Sequence, residues 1–480
     1  MIRRLATRAY RTFKKAMDER NLLLEDQRLV REFWSRVPEL ELVWRLDVAA
    51  YSPDVIRIAD VDGDGVDELV LFSTCGMYKS ALYSRYQVDI RQYLASLSTR
   101  PFQVTVVRPT GEVVWRAGEP YPSEARPYIS HAPELMMDVL PRTGMRPAMM
   151  ALLTNDAHVE IRTAHDGAIV ARLPLPTDNY SNIKFVHEKP DGGGELLMLV
   201  GVTDRSYDDP RTYANPWLLM RLDGTIIWKQ DVLGAGHSFL VHDFDGDGTN
   251  ELMIGYEFLR LDGSRAWMVE GIDPAMHDPI EEHVDTCILV DLPGTRAIAI
   301  AASTYQYLVD FDGRVLWRRR LPHPQSVLLG LHEGTPVLTV INQRDPIATF
   351  TLDGSLVAKN QLPEYWPTKR PPVARREVPI HTDIPAVPVY RHAGASLPEY
   401  FAYFEGGVPY LCDFIGRVAY RMPPQDIFRG MVGDGFRRIN DLGLSFEAAD
   451  PTSPQALDSG VRVFRRDEVA VYRRPGNGKP

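Results

Sequence analysis

Apolar and polar residues alternate with a period of two through short runs, and one such run returns along the whole chain. A turn glycine is followed by an apolar strand that ends in an aromatic residue or alanine and, in most copies, a basic residue. It reads GEVVWR from Gly111, GAIVAR from Gly167, GTIIWK from Gly224 and GSRAWM from Gly263. It returns as GRVLWR from Gly313, GSLVAK from Gly354 and GRVAYR from Gly416. Asp166, Asp223, Asp262, Asp312 and Asp353 precede five of these glycines, and Asp-Gly between apolar runs is a strong hairpin signal. The spacing ranges from 39 residues (Gly224 to Gly263) to 62 (Gly354 to Gly416), the range of a blade repeat lengthened by insertions.

Two further apolar runs lie upstream of each hairpin, as in HVDTCILVDL and AIAIAAST before Gly313, so each period holds four strands. Four strands per period make the blade of an all-β propeller. An eighth copy, ELVWRL at 41–46, stands alone near the N-terminus. At the other end, GVRVFRR and EVAVYRR form a hairpin with no strand after it. The N-terminal strand is therefore expected to complete the last blade and close an eight-bladed ring. Seven blades result if residues 423–480 pack outside it.

Residues 39–480 form the propeller in this reading, and residues 1–38 precede it as one or two helices, with Leu5, Tyr10, Phe13 and Met17 at helical spacing. Seven Lys or Arg among the first twenty residues would allow that segment to touch a membrane surface. It lacks the apolar run of a signal peptide, and no stretch is apolar enough to span a bilayer, so a cytoplasmic location is expected. Three cysteines are too few for a disulfide framework, and a net charge of −10 argues against nucleic acid as a partner.

Two segments have the oxygen spacing of a hard-cation loop. Asp60, Asp62, Asp64 and Glu68, with the carbonyl of Val66, form the first. Asp243, Asp245, Asp247 and Glu251, with the carbonyl of Thr249, form the second. DVDGDGVDELVLF and DFDGDGTNELMIGY resemble the FG-GAP (VCBS) repeat, which implies Ca2+ between the first and second strands of a blade. Together with the ring count, GHSFLVHDFDGDGTNELMIGYEFLRLDG followed by HVD resembles the rhamnogalacturonan lyases of polysaccharide lyase family 11. That resemblance implies a calcium-containing propeller that cleaves uronate-containing polysaccharide by β-elimination.

A histidine stands at or just before the start of the first strand in five periods: His131, His237, His283, His323 and His381. Such starts ring one mouth of a propeller's channel, and histidine can accept, donate or ligate near neutrality. For an acidic polysaccharide or oligosaccharide, His237 or His283 would serve as base and Tyr305 or Tyr307 as proton donor. Lys184, Arg205 and Arg211 would hold the uronate carboxylate, with His131, His323 and His381 also lining the site. A non-enzymatic binding propeller is the alternative. A glycoside hydrolase is another and would need paired carboxylates, for which Asp54, Asp285 and Asp383 are candidates.

Overall fold

A computed structural model describes residues 35–51, 53, 55–74, 102–119, 136–142, 146–154, 157–177, 180–202, 213–275, 282–342, 347–360, 386–389, 397–405, 408–421, 423, 461–464 and 468–473. Their strands form eight antiparallel sheets, seven of four strands and one of three, arranged as an eight-bladed β-propeller. Most of the segment expected to be helical, together with His131, Arg205, Arg211, His381, Asp54 and Asp383, lies outside the described residues.

First strands of adjacent blades touch one another, as between the fourth and fifth, fifth and sixth, and sixth and seventh blades, so these strands line the channel. Burial is greatest in the second and third strands of a blade and lowest in the outermost. The second strands Met149–Thr154 and Leu196–Gly201 are buried along their whole length, as expected for strands covered on both faces. The outer strands Val113–Gly118 and Ile169–Pro174 are largely solvated. The core is divided among the gaps between blades. In one gap Phe244, Phe258 and Val269 of the fourth blade meet Ile298, Tyr307 and Phe311 of the fifth.

The repeated glycine and tryptophan are partners across those gaps. The Trp115 indole donates to Ala164 O at 2.7 Å, Trp228 to Leu261 O at 3.2 Å and Trp317 to Leu352 O at 2.9 Å. Each acceptor lies in the turn of the next blade, where the glycine (Gly167, Gly263, Gly354) has a positive φ. A Cβ on any of the three would lie under 3 Å from the indole, so the turn must present a bare Cα.

Closure follows the expected route. Glu41–Asp47 pairs antiparallel with Glu468–Arg473, which in turn pairs with Val461–Phe464. Just before this strand, Leu40 N–H donates to Arg421 O, and Arg421 N–H donates to Pro38 O. The Arg421 guanidinium pairs with Glu39 at 2.6 Å. The N-terminal strand thus fastens the outer edge of the seventh blade as well as completing the eighth. Val469 then packs with Ile56, Leu69 and Leu71 of the first blade, which removes the free edge a linear array would carry.

Candidate functional site at one mouth of the channel

Three histidines stand where the repeat predicts, just before the inner strands Phe239–His242, Val284–Leu292 and Pro324–His332. The structure brings them together around Asp285. Asp285 Oδ1 lies 3.2 Å from His283 Nε2 and 3.9 Å from His237 Nε2, and Oδ2 lies 3.7 Å from His323 Nε2. Local backbone irregularities create this convergence. The pairing register shifts between Val284 and Thr286, so Asp285 is a bulge residue, and Gln325 is its counterpart in the next blade. The two bulge residues meet, Gln325 Nε2 donating to Asp285 Oδ1 at 3.0 Å. His323 has φ +55°, a left-handed conformation that a non-glycine residue adopts only when its surroundings impose it.

His237 reaches the cluster because the chain before it lies on the fifth blade. Val284 N–H donates to Gly234 O at 3.0 Å and His237 N–H donates to Val284 O at 3.1 Å. A Cβ on Gly236 would fall 2.1 Å from Val284 O, so only glycine allows this approach. Tyr213 is the last residue of an insert at 205–213 that stands out in the sequence, though it is not itself among the candidate site residues. Its hydroxyl lies 3.0 Å from His237 Nε2 and 3.3 Å from His283 Nε2. The Trp217 indole fixes the neighbouring backbone by donating to Ala214 O at 2.8 Å. Asn215 does the same, its side chain accepting from Val232 N–H at 2.9 Å and donating to Val232 O at 3.1 Å.

The cluster is buried on one side and open on the other. The side chains of Asp285, His283 and His237 are 1%, 7% and 9% exposed, whereas His323 is 30% exposed. Two buried polar atoms, Asp285 Oδ2 and His237 Nδ1, have no hydrogen-bond partner among the described residues. One donor atom from each of His237, His283 and Asp285 falls within 4.8 Å of the others, close enough for one ion to bridge. Ser303 Oγ sits 3.1 Å from His283 Nδ1 and also reaches the His283 carbonyl at 3.3 Å. When the hydroxyl proton goes to the carbonyl, Nδ1–H donates to Oγ and Nε2 turns a lone pair toward Asp285. A cation is what such a facing pair accommodates.

The two acidic loops occupy the opposite end of the inner strands. In the fourth blade His237 precedes the strand and Asp243 follows it, about 20 Å apart for six extended residues. Each loop folds on its own amides. Asp60 accepts from Gly63 N–H (2.6 Å) and Gly65 N–H (3.1 Å), and Asp243 accepts from Gly246 N–H (2.8 Å) and Gly248 N–H (3.1 Å). Asp64 and Asp247 accept from the amides of Val66 and Thr249. Asp60, Asp62 and Glu68 bring one oxygen each within 4.8 Å of one another, as do Asp243, Asp245 and Glu251. Burial, reinforced by the neighbouring aspartates, pushes the Glu68 carboxyl up to about 7 and that of Glu251 up to about 6. Glu68 Oε1 is buried with no hydrogen-bond partner among the described residues. These donor sets fit a hard cation.

No family model matches the chain, and no curated protein matches it either. Solved structures do. The exotype rhamnogalacturonan lyase YesX aligns with a TM-score of 0.51 at 12% identity, over 92% of this chain and 75% of that one. The Bacillus licheniformis rhamnogalacturonan lyase PL11 aligns with a TM-score of 0.50 at 12% identity, over 92% and 74%. Saccharomyces cerevisiae Sqt1 aligns with a TM-score of 0.51 at 8% identity, over 91% and 100%. At these identities the likeness shows the fold.

The remaining sequence candidates fall elsewhere. Tyr305 and Tyr307 lie on the third strand of the fifth blade, Tyr305–Asp310. Tyr307 packs in the gap beside Tyr256, and burial raises its hydroxyl to about 12. Arg318 lies over the Tyr305 ring. Lys184, on the inner strand of the third blade, pairs at 2.8 Å with Asp138 of the second.

Proposed function

We propose that this propeller is a carbohydrate-active lyase that cleaves uronate-containing polysaccharide by β-elimination at the mouth formed around Asp285. The observation that carries the reading is the convergence of His237, His283, His323 and Tyr213 on this one buried carboxylate. The shared fold of two rhamnogalacturonan lyases supports the choice of substrate class.

His237, His283 and Asp285 would hold a divalent cation, with the Tyr213 oxygen beside them. When bound there, the cation neutralises a uronate carboxylate and so acidifies the proton on the adjacent carbon, C5. His323, the open member of the cluster, is the base in this reading. It takes the C5 proton, the electron pair becomes the C4–C5 double bond, and the C4–O bond breaks. The resulting imidazolium returns a proton to the leaving oxygen. The base role thus moves from His237 and His283, whose burial suits ligation, to the histidine a polymer can reach. Asp285 meets three histidines, an arrangement suited to holding a cation rather than to the paired carboxylates of a hydrolase.

Calcium in the two acidic loops would be structural, at the far end of the channel from this chemistry. The test is incubation with a panel of uronate polysaccharides while following absorbance of the unsaturated product. A rise that stops when metal is stripped supports the reading. Binding of a polysaccharide without unsaturated product would make the mouth a recognition site instead.

A further inference from the structure

The two acidic loops share one ligand pattern but differ in their surroundings. In the first, Arg108 Nη2 lies 3.3 Å from Asp62 Oδ2, and Arg142 Nη1 lies 3.5 Å from Asp62 O. The Arg142 guanidinium sits directly on the loop, for a Cβ on Gly63 would fall 2.0 Å from its Nη1. In the second, no guanidinium pairs with Asp245 among the described residues, and nothing lies within 4 Å of where a Cβ on Gly246 would be. The sequence explains the contrast. Arg142 follows Leu140-Pro141 in the turn of the second blade, and the corresponding turn of the fifth blade reads Leu292-Pro293-Gly294. Arg260, which occupies the place of Arg108, lies near Asp262 instead, whose carboxyl is lowered chiefly by hydrogen bonds from Ser264 and less by Arg260.

We infer that the loops are unequal cation sites: the loop of Asp243–Glu251 binds calcium tightly, and the loop of Asp60–Glu68 binds it weakly because Arg108 and Arg142 compete for the same charge. This rests on calcium as the loop ligand. Two positive groups already beside Asp62 oppose a divalent ion there, and removing them takes away that repulsion. Screening at this exposed site limits the effect to about tenfold in affinity. The buried, unpartnered Glu68 Oε1 keeps the first loop a binding site, so the difference is one of strength. Half-occupancy would then leave the fourth blade loaded and the first blade held by its arginines.

The experiment is isothermal titration of calcium into the metal-stripped full chain, with Asp62→Asn, Asp245→Asn and the double variant Arg108→Gln, Arg142→Gln beside it. Apart from any binding at the mouth, which Asp285→Asn identifies, the wild type is expected to show a tight and a weak class. Asp245→Asn removes the tight class and Asp62→Asn the weak one, and the arginine variant tightens the weak class about tenfold. Equal affinities in the wild type, or a weak class unmoved by loss of both arginines, would overturn the inference while leaving calcium in the loops. Absence of any binding assignable to either aspartate would overturn the calcium reading itself.

Discussion

The indole nitrogen of Trp317 donates to the carbonyl of Leu352 in the next blade, and its ring lies where a Cβ on Gly354 would be. The same relation joins Trp115 to Gly167 and Trp228 to Gly263. Three blade junctions are therefore joined through one large ring and one bare turn, and this pairing is the physical content of the GxxxW run at Trp115, Trp228 and Trp317. Trp317→Ala should cost about 3–5 kcal/mol of unfolding free energy. Gly354→Ala should cost more than about 1 kcal/mol, because the turn needs both positive φ and the missing Cβ. Denaturant melts check both, and a neutral Gly354→Ala would show that the ring can move aside.

The latch makes a prediction about association rather than local stability. Deleting residues 1–47 removes the partner of Glu468–Arg473, whose residues Val469, Ala470, Val471 and Tyr472 are fully buried in the closed ring. The uncovered edge should pair with other chains, and light scattering should report aggregation. A monodisperse, equally stable truncation would contradict the closure account.

Glu68 and Glu251 give stability a pH dependence that calcium should abolish. Both carboxyls titrate higher in the folded state, at about 7 and about 6, than the 4.5 of an unperturbed glutamate. Between pH 4.5 and 7 the folded protein therefore holds protons that the unfolded chain has released. Without metal, this contribution makes stability fall as pH rises through that window. Bound calcium keeps the carboxylates ionised at no such cost, so the gap in melting temperature between loaded and stripped protein should widen from pH 5 to pH 8. A gap independent of pH would mean that neither glutamate meets the ion.

At the mouth, Asp285→Asn should remove metal binding yet leave the melting temperature of the stripped protein within a few degrees, since Oδ2 has no hydrogen-bond partner to lose. His323→Ala should lower turnover of a responsive polysaccharide by about 10²–10⁴-fold, the range for loss of a positioned base. Metal content should stay unchanged in that variant. Elemental analysis beside initial rates separates the two roles, and loss of metal in His323→Ala would contradict the assignment of His323 as base.

The ring was legible in the chain because its signals are local: Asp-Gly turns, two-residue alternation, and a lone strand copy at one end facing an incomplete hairpin blade at the other. His237, His283 and His323 were legible for a related reason, since each holds the same place in its repeat. What drew them together was not. Asp285 enters through a bulge in its strand, and bulges arise from packing against a neighbouring blade rather than from a sequence period. Tyr213 closes the insert at 205–213, which belongs to no repeat, so nothing aligned it with the histidines it touches. Tyr305 and Tyr307 are two residues apart and so share one strand face, but that strand lies two positions out from the channel.

The most direct test of the central claim is the absorbance of unsaturated uronate product, followed with wild type and with the double variant His323→Ala, Asp285→Asn on the same polysaccharide panel. The account predicts a rise with at least one uronate polysaccharide in the metal-loaded wild type and none in the double variant. A double variant that turns over at the wild-type rate, or a metal-loaded wild type that yields no unsaturated product from any of them, would contradict it.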